Sequence, residues 1–152
     1  MPLAEEHYGS DLRLLVDLER QSERERGADL LTQEVEAGVD LETVAGIGNL
    51  EQALLLRFLT RAGELADLGH TTYGSRLPEL IGELNTATNR NLAKMYVLQA
   101  LRDEPRIAQV ESVTVTTRSR DRVDVAVHAH VIDSDTALNL VFPFFFEGGA
   151  PA

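Results

Sequence analysis

The sequence predicts an α+β fold: a helical layer packed on a mainly antiparallel sheet, with a three-stranded meander at the C-terminal end. Two observations carry this. Apolar residues recur at helical spacing between Asn49 and Asp103. Beyond Pro105 the period drops to two, and three alternating runs follow one another with short polar turns between them. The chain has 152 residues, 43% of them hydrophobic, enough for a single domain over residues 1–152 with its own core.

Residues 1–10 read as a loose arm. Asp11–Leu18 reads as a first strand or a helical turn, and the charge run Glu19–Arg26 as a solvated loop. Ala28–Glu36 and Val39–Ala45 alternate enough for short edge strands. The first strong helix follows Gly46-Ile47-Gly48. Asn49 is placed to cap it, with Gln52 three residues on as in a capping box. Leu50, Leu54 and Phe58 form its apolar stripe, and Gly63 is expected to end it. Leu65–Arg76 is loop-like. Leu77–Leu84 reads as a short helix with Pro78 in its first turn. Thr86 or Thr88 then caps the longest helix, whose stripe is Leu92, Ala93, Tyr96, Val97, Ala100 and Leu101.

Asp103-Glu104-Pro105-Arg106 closes that helix. A proline disfavours helical geometry in the residue before it and brings no N–H donor. Glu104 and Arg106 therefore flank a stiffened corner, either as solvated charges, as an internal ion pair, or as an anchor for a partner. Val113, Val115 and Thr117 begin the meander. Arg118–Asp121 is a turn, Val123–Val131 the second strand, Asp133–Asp135 a second turn, and Leu138–Phe144 the third strand. Four of the five phenylalanines lie between Phe142 and Phe146. Alternation places Phe142, Phe144 and Phe146 on one face and Phe145 on the other. Pro143 belongs on an edge strand or at a bulge.

Composition narrows function. A net charge of −11 repels phosphate backbones, so no nucleic-acid partner is expected. Without cysteine there is neither a disulfide framework nor thiolate chemistry. No apolar run approaches a membrane span, and Met1–Asp11 has no long apolar stretch of a secretory leader. His128 and His130 share a strand face with Asp124, but a complete metal-ligand set is not evident, even with His7 and His70 considered. Gly46 and Gly48 lack the ending of a phosphate loop. No nucleophile elbow frames a triad. No cofactor, metal or catalytic residue is expected.

The ordered motifs resemble a known family. Gly46-Ile47-Gly48-Asn49-Leu50-Glu51-Gln52, Leu59-Thr60-Arg61-Ala62-Gly63-Glu64-Leu65, Tyr73-Gly74-Ser75 and Glu104-Pro105-Arg106 stand in the order of the small, lysozyme-like baseplate wedge proteins of contractile phage tails. Relatives of these occur in type VI secretion, tailocin and extracellular injection systems. The match spans Leu41–Phe146. Ala62 and Thr72 stand where the family often has proline, and the first 40 residues match loosely.

The resemblance implies a structural, non-enzymatic subunit that joins the larger wedge proteins and templates the first ring of sheath. Its partners would be those wedge proteins, the contractile sheath protein and spike or hub proteins. It would be present in six copies, or a multiple of six, per particle. It would be cytoplasmic during assembly and then part of the particle. Glu104, Pro105 and Arg106 are the expected anchor, and Phe142, Phe144, Phe145 and Phe146 the expected strand-pairing segment, with ordinary core closure by the last strand as the other reading of those rings. The alternatives are a cell-wall glycosidase working through a carboxylate pair and a soluble adaptor unrelated to tails.

Overall fold

The computed structural model describes residues 9–13, 32–36, 38–41, 43–132 and 137–146. Strand β1 (Ser10–Leu12) pairs antiparallel with β4 (Thr43–Ala45), and β2 (Thr32–Val35) with β3 (Gly38–Leu41). Helix α1 (Ile47–Leu59) follows, then 3₁₀ turns at Ala66–Leu68 and Leu77–Leu80, then helix α2 (Ala87–Arg102). Strands β5 (Ile107–Thr117), β6 (Arg122–Val131) and β7 (Ala137–Phe145) form an antiparallel sheet in the order β5-β6-β7. This is the α+β arrangement expected from the change of period. The helices cover one face of the meander. None of the described helices is long and apolar enough to cross a membrane.

The core follows the two periods. Leu50, Leu54 and Phe58 of α1 are fully buried, as are Ala93 and Val97 of α2. On β6, Val123, Val125, Val127, Ala129 and Val131 point into the same cluster. Leu138, Leu140, Phe142 and Phe144 meet them from β7, with Phe146 just past the strand end. Phe142 stacks on Phe58, with centroids 5.3 Å apart and planes at 18°. Phe144 meets Phe146 edge-on at 5.3 Å. The last strand thus closes the core against α1.

Several local readings are corrected by tertiary structure. Residues Gly9 and Ser10 are not a loose arm: the Gly9 carbonyl accepts from the Gly46 N–H at 3.3 Å, and Ser10 is in β1. Helix α1 starts two residues before Asn49. Gly46, at φ 66°, supplies a turn that suits glycine, and its carbonyl accepts from the Asn49 and Leu50 N–H groups. Asn49 lies buried inside the first turn, and Gln52 donates through Nε2 to the Leu12 carbonyl at 2.8 Å. What resembled a capping box is in part a tether for β1. Thr86, by contrast, caps α2 as expected, accepting from the Asn89 N–H at 3.2 Å.

Helix α1 also ends at Leu59, ahead of Gly63. Thr60 is extended, and its carbonyl accepts from the Ser75 N–H at 2.8 Å, while the Ser75 carbonyl accepts from Ala62 at 2.8 Å. These bonds pull the chain out of the helix into a short parallel bridge between Arg61 and Ser75. Leu77–Leu84 narrows to a 3₁₀ turn at Leu77–Leu80. Asp11–Leu18 yields a strand only at Ser10–Leu12, with 14–18 outside the described residues. The Glu19–Arg26 run and the Asp133–Asp135 turn also lie outside them.

Candidate functional site

The most organised polar cluster sits where α2 hands over to β5. Asp103 caps α2, and the Glu104 N–H still bonds to the Leu101 carbonyl at 3.2 Å. Pro105 then turns the chain. The Glu104 carbonyl accepts from Ile107 at 3.1 Å, and the Arg106 carbonyl from Ile132 at 2.9 Å, which fixes the corner to the sheet.

Glu104 is buried, with its side chain 2% exposed. Its Oε1 accepts from Arg106 Nε at 2.7 Å and from the Arg106 backbone N–H at 3.2 Å. Its Oε2 accepts from Arg106 Nη2 at 3.1 Å and from Arg57 Nη2 at 3.4 Å. Two cations from different elements therefore converge on one carboxylate. Arg57 also lies over the Tyr73 ring, 4.8 Å from its centroid. Arg57, Tyr73, the His70-Thr71-Thr72 stretch and Asp103 line an open groove beside the corner.

The electrostatics follow from this packing. Burial pushes the Glu104 carboxyl upward, and that is its largest single influence. The Arg106 hydrogen bonds and the charges of Arg106 and Arg57 together outweigh it, so the group is held below the usual carboxylate range. The hydrogen bond to Glu104 raises Arg106 above its ordinary value. Burial raises the Tyr73 hydroxyl, with Arg57 opposing.

Of the three readings of the corner, the internal ion pair is the one the structure shows. Glu104 is an internal acceptor. Pro105 is exposed, and Arg106 is partly exposed. In the aromatic segment the structure shows core closure by three of the rings. The Phe142, Phe144 and Phe146 side chains are buried, because their face of β7 is the core face. Phe145 lies half-buried on the opposite face, 5.7 Å from the Arg122 guanidinium. These rings are core and sheet packing, so any pairing at β7 involves its backbone.

The Tyr73-Gly74-Ser75 motif proves structural. Ser75 Oγ donates to the Phe58 carbonyl at 2.7 Å and accepts from the Leu77 N–H at 3.2 Å, tying the loop to the end of α1. Gly74, at φ 112°, lies so close that a Cβ there would come within 2.6 Å of the Thr60 carbonyl oxygen. His128, His130 and Asp124 do share a face but take different partners. His128 Nδ1 meets Asn139 Oδ1 at 2.5 Å and His130 Nε2 meets Glu111 Oε1 at 2.5 Å. Asp124 binds Arg118 at 2.7 Å and Arg122 at 3.2 Å. Among the described residues no three His, Asp or Glu side chains are grouped to hold a metal.

Arg57 is the member of the cluster that sequence reading missed. It sat on the polar side of α1, and only its place in the last helical turn, one residue before a core phenylalanine, hinted at a half-buried guanidinium.

No protein-family model matches the chain, and no curated protein does. Among solved structures, it is similar to a protein from Geobacter sulfurreducens described as a "putative tail lysozyme". The TM-score is 0.57 and the sequence identity 25%; the match covers 67% of this chain and 92% of that chain. The chain thus has a tail-lysozyme-like fold and is related in structure to a tail protein.

Proposed function

We propose that this protein is a structural component of a contractile tail baseplate: a wedge subunit that joins larger wedge proteins and templates the first sheath ring. The observation that carries the reading is the locked corner, set within an ordered series of motifs on a tail-like fold. Glu104 acts as a positioning residue. By holding two donors of Arg106 and its N–H, it fixes the partly exposed guanidinium beside the exposed Pro105. A partner would contact Pro105 and Arg106, with Glu104 beneath. The second contact is main-chain pairing at an edge of the meander, a directional bond suited to stacking rings. Sixfold copy number, hub or spike contacts, and cytoplasmic assembly before incorporation into the particle belong to the same reading.

A glycosidase needs one carboxyl held protonated beside a second carboxylate. Glu104, the most buried carboxylate described, is instead held ionised by two arginines. That keeps Glu104 out of the acid's role; a turbidity assay on purified cell wall tests the other carboxylates, Glu51 among them, whose carboxyl is raised by burial.

Particle assembly tests it. Arg106→Ala should leave a folded protein, by far-UV circular dichroism, and lower the yield of particles seen by electron microscopy. Normal yield with normal folding would remove the corner as an anchor. Neighbouring genes for sheath, tube and spike proteins would support the class; their absence would count against it.

A further inference from the structure

We infer that the groove between helix α2 and the first half of β5 docks an acidic amphipathic helix from another polypeptide. Neither the groove nor its charges depend on a tail role for the protein.

The groove has a volume of about 440 Å³. Leu98, Leu101 and Arg102 of α2 line one side, and residues 107–110 of β5 the other. Its walls include apolar side chains that the fold leaves incompletely covered. Leu98, Ile107 and Val110 pack against the core yet remain only partly buried. Met95, on the same face of α2, is 52% exposed. Residues 95, 98 and 102 stand at i, i+3 and i+7, so they form one stripe.

Charge selects the occupant. The chain has a net charge of −11, yet α2 holds none of its 25 acidic residues. It holds Arg90, Lys94 and Arg102 instead. Arg90 is bonded to Asn85. Lys94, the chain's only lysine, and Arg102 are both exposed, and neither has an ion-pair partner among the described residues. They stand four residues before and four after Leu98, so that apolar side chain lies between two cations about 12 Å apart along the axis. Asp103, next in the chain, lines the other groove with Arg57 and Tyr73. Glu111, just past the groove, is bonded to His130. Arg102 also suits the negative end of the helix. Lys94 is mid-helix, and the first turn lacks the acids its positive end would favour. Helix electrostatics alone therefore do not account for an acid-free α2.

Shape selects a helix. Register shifts between Ile107 and Gln109 and between Val110 and Ser112 put Ala108 and Glu111 out of the ladder with β6. This part of β5 presents no regular row of backbone groups. It forms a trough beside a helix, where a second helix can lay an apolar stripe against Leu98 and Val110. Acids flanking that stripe would meet Lys94 and Arg102.

The probe is a synthetic helix of about fifteen residues, with leucine at three-four spacing and glutamate elsewhere. Backbone amide NMR of the full chain locates it, and fluorescence anisotropy of the labelled peptide gives Kd. Shifts should concentrate at residues 94–102 and 107–110. Lys94→Glu with Arg102→Glu alters two exposed, unpaired side chains, so far-UV circular dichroism should be unchanged. Two weak attractions become repulsions of similar size, and Kd should rise about tenfold. The same peptide with lysine for glutamate should leave the groove resonances unmoved, although the acidic chain as a whole attracts it; this comparison uses the wild-type chain alone. Arg106→Ala, which tests the corner, should bind the acidic helix as wild type does. Absence of saturable binding, an unchanged Kd in the double variant, equal groove shifts with the lysine peptide, or shifts at Arg57, His70 and Tyr73 in their place would each overturn the assignment. Groove shifts that appear with protein concentration alone would make the occupant a second copy of this chain and overturn a foreign helix.

Discussion

Replacing Glu104 by glutamine tests whether the corner is a buried ion pair or a decorated surface. Glutamine keeps the volume and can accept one arginine bond, but it removes the negative charge. Arg57 and Arg106 would then face each other across a neutral amide, with side chains only 13% and 25% exposed. Breaking a buried pair by removing one partner costs about 3–5 kcal/mol. The two arginines keep some access to water, so the lower end, about 3 kcal/mol, applies here. For a domain of this size that is a fall in melting temperature of about 6–12 °C. The pH dependence sharpens the test. The folded carboxyl titrates below its unfolded value, so its stabilisation is present above about pH 4.3, the unfolded glutamate value. It is lost as pH falls through the folded value. Wild type should therefore lose stability below about pH 4 more steeply than Glu104→Gln. Urea unfolding from pH 7 to 3 measures both effects. A loss under about 1 kcal/mol at pH 7, with parallel acid limbs, is what an exposed pair gives and would refute the argument.

Further outcomes follow from the packing. Gly74→Ala should destabilise by several kcal/mol, on the order of 3, since it combines a positive φ with a Cβ 2.6 Å from the Thr60 oxygen; thermal melting checks it. Phe142→Ala should cost about 3–5 kcal/mol, because its ring is buried against Phe58. Phe145→Ala, on the other sheet face, should cost clearly less in the same urea titration. No clearing of purified cell wall is expected in a turbidity assay; clearing that vanishes on mutation of one Asp or Glu would overturn the structural reading.

The fold was legible where periodicity is long. Leu50, Leu54 and Phe58 named the buried face of α1, and the alternation from Val123 to Val131 named the core face of β6. Local signals failed where a distant partner changed their meaning. Asn49 and Gln52 have the spacing of a cap, yet Gln52 is used by β1, forty residues upstream. Gly63 looked like a helix stop, but Ser75 ends the helix earlier through the Thr60 carbonyl. In each case the competing hydrogen bond comes from chain that no local window contains.

The corner shows the same division inside one site. Its Glu104–Arg106 half is local: two residues apart, with Pro105 setting the bend, so both the side chain and the N–H of Arg106 reach one carboxylate. That half can be read from a tetrapeptide. The Arg57 half is separated by 47 positions and depends on α1 packing against the meander. Yet the long-range half decides what the motif is. With Arg106 alone, Glu104 at a surface bend would be a solvated charge worth little. Arg57, stacked on Tyr73, brings a second cation to a carboxylate that is buried. Burial penalises the charge, and two guanidiniums offset the penalty. Sequence marked the corner correctly as stiff and charged. Its inversion, with the acid inside and the base at the rim, follows from a helix that the tetrapeptide does not mention.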